Sequence, residues 1–217
     1  MKVLVACEES QTVCKAFRER GHEAYSCDLQ ECSGGHPEWH IKANVLPILR
    51  GGCWFLTVDG MKHDAPSQWD LVIAHPPCTY LTACANKHYV EEVFGAKARG
   101  RYFDRIDGIR FFMEFALCGA KMVAIENPVG IMSGVYRKPD QIIEPYEYGD
   151  PYEKKTCLWL INLPKLKPTN IVEPEPRQIL SSGKSMPRWY SNCSGDRSKA
   201  RSKTFPGIAK AMAEQWG

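Results

Sequence analysis

Apolar positions along the chain fall in short runs separated by stretches with helical periodicity. "KVLVAC" (2–7) predicts a buried strand, and "SQTVCKAFRERG" (10–21) places Val13, Phe17 and the aliphatic part of Arg20 on one helical face that ends at Gly21. "HEAYSCDL" (22–29) reads as a second strand, so the chain opens with a β-α-β unit. "DLVIAH" (70–75) is a third strand, "DGIRFFMEFALCGA" (107–120) an amphipathic helix closing near Gly119, and "KMVAIENP" (121–128) a fourth strand halted by Pro128. This alternation predicts an α/β fold, a doubly wound and mainly parallel sheet whose ligands lie outside the carboxyl ends of its strands.

Beyond Tyr148 the pattern changes. "KKTCLWLINLP" (154–164) predicts another strand, followed by a proline-spaced stretch (Pro164, Pro168, Pro174, Pro176). The Ser-, Gly- and base-rich segment 181–207 then reads as a loop or small lobe that orders on binding, and "IAKAMAEQW" (208–216) as a closing helix. No internal repeat is visible.

Composition narrows the class. The 217 residues, 44% hydrophobic and 24% charged, suit one α/β domain with a small appendage and exclude a chain disordered throughout. No apolar run nears the ~20 residues of a membrane span, and "MKVLVACEES" does not suit a secretory signal, so a cytoplasmic protein is expected. The ten cysteines are scattered, several within apolar runs (Cys7, Cys118, Cys157), and are read as reduced thiols. A net charge of +3 is too small to point to nucleic acid by itself.

The strand ends carry the chemistry. "CEESQT" follows the first strand, Asp28 the second, "HPPC" the third and "ENP" the fourth. Asp28 stands where such sheets offer a carboxylate to ribose hydroxyls, although a turn or capping Asp fits the same place. The first turn has no glycine, which argues against a pyrophosphate close to the backbone and leaves room for S-adenosylmethionine, a cofactor without phosphates. Glu8 and Ser10 can meet the amino-acid tail of that cofactor or simply cap the helix. Pro76 and Pro77 stiffen the next turn and fix Cys78, a candidate nucleophile if its pKa is lowered. Glu126 and Asn127 follow the apolar "MVAI"; burial there raises a carboxyl pKa and lets Glu126 share a proton with a ring nitrogen, the alternative being a helix cap.

Two basic clusters contain aromatic residues, the pattern of nucleic-acid contact. One is a glycine-containing loop, "NKHYVEEVFGAKARGRYFDR" (86–105), with Lys87, Lys97, Arg99, Arg101 and Arg105 among Tyr89 and Tyr102. The other holds Lys184, Arg188, Arg197, Lys199, Arg201 and Lys203 with Trp189 and Tyr190. Either can also be a solvated face. Cys27, Cys32, His36 and His40 lack paired Cys-x-x-Cys spacing; no metal is expected, and Trp39 with the histidines is read as lining the cofactor's edge or folding a turn.

"HPPC" and "ENPVG" together resemble two motifs of the DNA cytosine-C5 methyltransferases, Pro-Pro-Cys after the fourth sheet strand and Glu-Asn-Val after the next, here with a proline before Val129. "YGDPYEKKTCLWL" (148–160) is similar to a degenerate form of the family's Tyr-Gly-x-Pro-Gln-x-Arg-x-Arg, with Tyr152, Lys154 and Thr156 at the departures. "TFPGIAKAMA" (204–213) is similar in place to the family's Gly-Asn-x-Val, which joins the cofactor site. The phenylalanine-glycine cofactor turn and a long target-recognition region are missing, and small phage-type members are the most similar.

The resemblance implies a Rossmann-like S-adenosylmethionine-dependent methyltransferase fold, with a catalytic core at 1–163, a reduced target-recognition segment at 164–203 and a returning helix at 204–217. It implies DNA as partner and methyl transfer to cytosine C5. Cys78 would add to C6, Glu126 would act at N3, Asn127 would hold the strand-end loop, and Lys154 would donate to O2. Cofactor contacts are expected at Cys7, Glu8, Ser10, Asp28, Asn44, His75, Pro76 and Gly207. The same chemistry on RNA or a free nucleotide, an amino-group methyltransferase and a non-catalytic nucleic-acid-binding module are the alternatives; the residue after Pro-Pro being Cys rather than aromatic disfavours the second.

Overall fold

The structure, a computed structural model, describes residues 1–189 and 203–217. Arg197, Lys199, Arg201 and Tyr190, expected at a nucleic-acid surface, lie outside the described residues.

Strands β1 (Lys2–Ala6) and β2 (Glu23–Asp28) flank helix α1 (Thr12–Glu19) as the apolar pattern predicts. They are followed by β3 (His40–Lys42), α2 (Val45–Leu49) and a hairpin of β4 (Trp54–Leu56) and β5 (Lys62–Asp64). Then come β6 (Leu71–Ala74), α3 (Glu91–Phe94), α4 (Ala96–Ala116), β7 (Met122–Pro128) and α5 (Met132–Val135). The chain continues through β8 (Gln141–Ile143), β9 (Thr156–Ile161), a second hairpin of β10 (Arg177–Ile179) and β11 (Ser185–Pro187), and α6 (Pro206–Trp216).

The seven-stranded sheet runs β3-β2-β1-β6-β7-β9-β8. The first five strands are parallel neighbours, and β9 is antiparallel between β7 and β8. This is a doubly wound, Rossmann-like α/β fold. Alternation along each strand divides the core between the two faces. Leu4, Ala6, Val72, Ala74, Val123 and Ile125 pack with Phe112, Phe115 and Trp159 on one face. Val3, Val5, Leu71, Ile73 and Ala124 pack with Phe17 of α1 and Ile208, Met212 and Trp216 of α6 on the other. No helix among the described residues is long and apolar enough to cross a membrane.

One expectation about the fold is overturned. Residues 86–105 are not a loop: Ala83–Tyr89 form a 3-10 helix, α3 follows, and α4 runs 21 residues from Ala96. Gly95, at φ 53°, ends α3, but Gly100 lies inside α4. A single interior glycine costs about 1 kcal/mol, which the Ala, Lys and Arg residues around it and the packing of Phe112 and Phe115 outweigh.

Candidate active site

The chain leaves β1 for β2 on one side and returns to β6 on the other, so the sheet's switch point lies between β1 and β6. A cavity of about 1250 Å³ opens there. It is lined by the turn after β1 (Cys7, Glu8, Glu9, Ser10), the end of β2 (Asp28, Gln30), the turn after β6 (His75 to Thr79) and the end of β7 (Glu126 to Val129).

The first turn works without glycine because Cys7 and Gln11 themselves adopt left-handed backbone, at φ 59° and 58°. The Cys7 N–H donates to the Cys27 carbonyl (2.7 Å), which ties the turn to β2. Glu8 is buried, and its carboxyl oxygens accept from the Val13 (2.6 Å) and Cys14 (3.1 Å) N–H groups at the start of α1. A helix N-terminus is the usual seat for a phosphate. In this protein a side chain of the protein itself fills that seat. Burial pushes the Glu8 pKa up, against the pull of His75 and the two N–H groups. Burial also raises the Cys7 thiol, with Asp28 adding to the effect. The Oδ1 of Asp28 accepts the Gln30 N–H (2.9 Å), closing a local turn at the cavity edge.

The turns after β6 and β7 form a single unit. The Asn127 side-chain amide donates to the Pro76 carbonyl (2.8 Å), the Ala83 N–H to Val129 (3.1 Å) and the Ile131 N–H to Leu81 (2.9 Å). Thr82 and Gly130 pair as an isolated antiparallel bridge. A Cβ on Gly130 would stand 2.1 Å from the Leu81 carbonyl oxygen, so only glycine permits this approach. The Cys78 carbonyl accepts from both Leu81 (2.9 Å) and Thr82 (3.0 Å), which holds the nucleophile candidate in a tight turn.

At the heart of this unit the Nδ1 of His75 lies 3.2 Å from the Oε2 of Glu126, with side chains only 7% and 12% exposed. Burial alone would raise the Glu126 pKa, but the His75 hydrogen bond, the Lys154 charge and the His75 charge outweigh it, and the net direction is down. This corrects the raised value that the apolar strand suggested. Burial pushes the Cys78 thiol up and the Glu126 charge adds to it, while Lys154 pulls it down. The resting site therefore pairs a protonated thiol with an ionised carboxylate.

Of the residues singled out from the sequence, Cys7, Glu8, Ser10, Asp28, His75, Pro76, Cys78, Glu126, Asn127, Lys154, Lys87, Arg101 and Lys203 line this one cavity. Lys203 reaches the Ser33 hydroxyl (3.2 Å) and lies 4.0 Å from the Glu9 carboxylate. Asn44 is not on the cavity wall: its side chain caps α2 by accepting the Leu46 N–H (3.0 Å). Gly207 also lies off it. Its N–H donates to Asp150 (2.8 Å), and a Cβ there would stand 1.9 Å from the Tyr148 carbonyl oxygen, so Gly207 lets α6 dock closely.

Among the basic residues, the Arg101 guanidinium lies over the rings of Tyr80 (4.9 Å) and Tyr89 (5.4 Å) at the cavity wall. Arg105 is a brace, 3.5 Å over Tyr89 and donating to the Tyr80 carbonyl and Asn86. Arg99 pairs with Glu91 (3.7 Å), and Lys97, Lys184 and Arg188 are exposed away from the cavity. His36 stacks on Trp39 (3.8 Å) and His40 bonds Ser26 and the Gln30 carbonyl, so these residues fold a turn outside the cavity wall. All nine cysteines among the described residues are free thiols.

Glu9, Thr79, Thr82, Cys84, Lys155 and Thr204 also line the cavity and were missed. Glu9 lay within the strand-end stretch "CEESQT" without being singled out, and Lys155 is adjacent to Lys154, which only the family resemblance had marked. Glu8, Glu9 and Asp28 gather at the β1–β2 end with Lys203 beside Glu9, and Lys87, His88, Arg101, Glu126, Lys154 and Lys155 line other parts of the wall.

No protein-family model matches the chain, and no curated protein does. Among solved structures it is similar to a presumed DNA modification methyltransferase encoded within a prophage of E. coli, at 14% identity and a TM-score of 0.45. The similarity covers 80% of this chain and 52% of that one, so the chain spans about half the length of that structure.

Proposed function

We propose that the protein transfers a methyl group from S-adenosylmethionine to C5 of cytosine in DNA. One observation carries the reading: the Pro-Pro-Cys turn and the Glu-Asn strand end are hydrogen-bonded to one another on the wall of a single cavity at the sheet's switch point.

The residues present suit that cofactor. The seat that a dinucleotide's pyrophosphate would need is filled by Glu8, whereas an adenosyl group asks only for a ribose acceptor such as Asp28. Glu9 and Asp28 offer carboxyl groups to a ribose or an ammonium at that end of the cavity, with Lys203 beside Glu9. When bound, the cofactor supplies the electrophilic methyl group.

The rest of the chemistry falls to the chain's own side chains. Cytosine C5 becomes nucleophilic only after the Cys78 sulfur adds to C6 while N3 is protonated or hydrogen-bonded through Glu126. The resulting enamine accepts the methyl group at C5. Loss of the C5 proton and departure of Cys78 restore the aromatic ring. Lys154 favours the Cys78 thiolate and stands ready to donate to O2, and Asn127 keeps the Pro76 carbonyl fixed. A base in duplex DNA has to be flipped out to reach this cavity, at a few kcal/mol. Arg101 and Lys87 on the wall are placed to hold the phosphates that flank it.

Trapping on DNA that carries 5-fluorocytosine tests the reading. With cofactor, the wild-type protein should form a denaturation-resistant adduct, and C78S should form none. An adduct that persists in C78S rejects Cys78 as the nucleophile, and methylated adenine or N4-methylcytosine in the product would replace the C5 reading with amino-group transfer.

A further inference from the structure

The proposed chemistry leaves a gap, since N3 needs a proton and Glu126 in the resting site is ionised. His75, expected from the sequence to touch cofactor, fits that gap better. Its side chain is more than nine-tenths buried, its Nδ1 is directed at Glu126 Oε2 (3.2 Å), and its Nε2 is buried on the cavity wall with no partner among the described residues. An imidazole that served only to fill space would have both nitrogens bonded, as His40 does. We infer that His75 and Glu126 form one proton store, in which His75 keeps on Nδ1 the proton that Glu126 lends to ring N3 and takes it back when the base is released. This rests on the C5 reading above and assigns His75 as a positioning residue acting through Glu126.

The balance of the step is closed. The Cys78 thiol gives its proton to solvent, and its sulfur bonds to C6. The π electrons shift through C5 and C4 to N3, which takes a proton from Glu126 as Glu126 takes the Nδ1 proton of a His75 ring that starts protonated on both nitrogens. His75 is left neutral. After C5 gains the methyl group, its hydrogen leaves to solvent as a proton, the C6–S bond breaks to return thiolate, and the N3 proton passes back through Glu126 to His75. The charged and titratable groups around the pair are Glu8 from the turn after β1, Lys154 ahead of β9, Cys157 on β9, and Cys78 on the same turn as His75.

The test is the pH dependence of methyl transfer to unmethylated DNA by wild-type protein and H75Q, in which the amide can still donate to Glu126 but cannot release a proton. The wild-type rate should fall on the alkaline side where the pair gives up its proton. In H75Q that limb should move to lower pH, because the lone acid is then a carboxyl group, with kcat down ~10²-fold near pH 8 and the KM for S-adenosylmethionine unchanged. Added imidazole should restore part of the rate in H75A.

An H75Q profile that superimposes on the wild type, or a raised KM for cofactor with kcat unmoved, overturns the proposal. Should H75Q not fold, the 15N spectrum of histidine-labelled wild-type protein decides: both ring nitrogens of His75 must carry a proton before the base binds, and a ring with either nitrogen unprotonated rejects the store. A wild-type protein that forms no 5-fluorocytosine adduct and methylates no cytosine removes the C5 reading itself. An active wild type with an unmoved H75Q removes only the role of His75.

Discussion

Glu8 shows how one side chain can decide what a site accepts. Its carboxyl group takes two N–H groups of α1 in a fully packed place, and burial raises its pKa. A carboxyl group with a raised folded-state pKa binds its proton more tightly folded than unfolded, so it adds stability below the unfolded value and that stability is lost as pH rises through the folded one. Melting temperatures of wild type and E8Q measured from about pH 4 to pH 8 should therefore diverge, with E8Q gaining on the wild type as pH rises; each tenfold change in proton affinity is worth about 1.4 kcal/mol. Parallel curves would show that the Glu8 proton is not coupled to folding. The sequence marked Glu8 and Glu126 because each follows an apolar run directly, and Cys78 because a proline pair fixes it just beyond one. It did not show the ionisation of Glu126, because His75 is 51 residues away and only the pairing of β6 with β7 brings the two together.

At the scale of elements, the strands that matter for the site were readable and the short or charged ones were not. β1, β6 and β7 are buried on both faces and give unbroken apolar runs, whereas β3 and β8 are three residues long and carry no such signal. α4 was half-read for a related reason. Its buried large residues, Phe112 and Phe115, lie in its last turns, and its first half shows Gly100 and a run of arginines. Between elements, the closest contact in the site is that of Gly130 with Leu81. G130A should force those backbones apart, costing about 1–3 kcal/mol in urea unfolding. It should also slow 5-fluorocytosine adduct formation ~10²-fold, since a displacement near 1 Å is enough for that loss. Unfolding and trapping that match the wild type would mean that the two turns are not mutually dependent.

For the whole molecule, the distribution of charge matters more than its net value of +3. Glu8, Glu9 and Asp28 line the β1–β2 end of the cavity, and Arg101, Lys87 and Lys154 line other parts of its wall. Single-stranded DNA binding measured against salt should lose about 0.7 from its log–log slope in R101Q, the contribution of one phosphate contact. R105Q should leave the slope unchanged, because that guanidinium is already committed to Tyr80 and Asn86; equal effects in both variants would reject the distinction. The β10–β11 hairpin is tied down by the Arg177–Glu153 ion pair, and the adjoining Trp189 packs with Tyr152 and Phe205. The turns that carry Cys78 and Glu126 need none of those contacts, since they are bonded to each other at Thr82 and Gly130. Sulfur and carboxylate are thus kept in register by the same bonds that complete the fold. The entropy of bringing them together is spent once, when the chain folds, and under the proposed chemistry no turnover would have to spend it again.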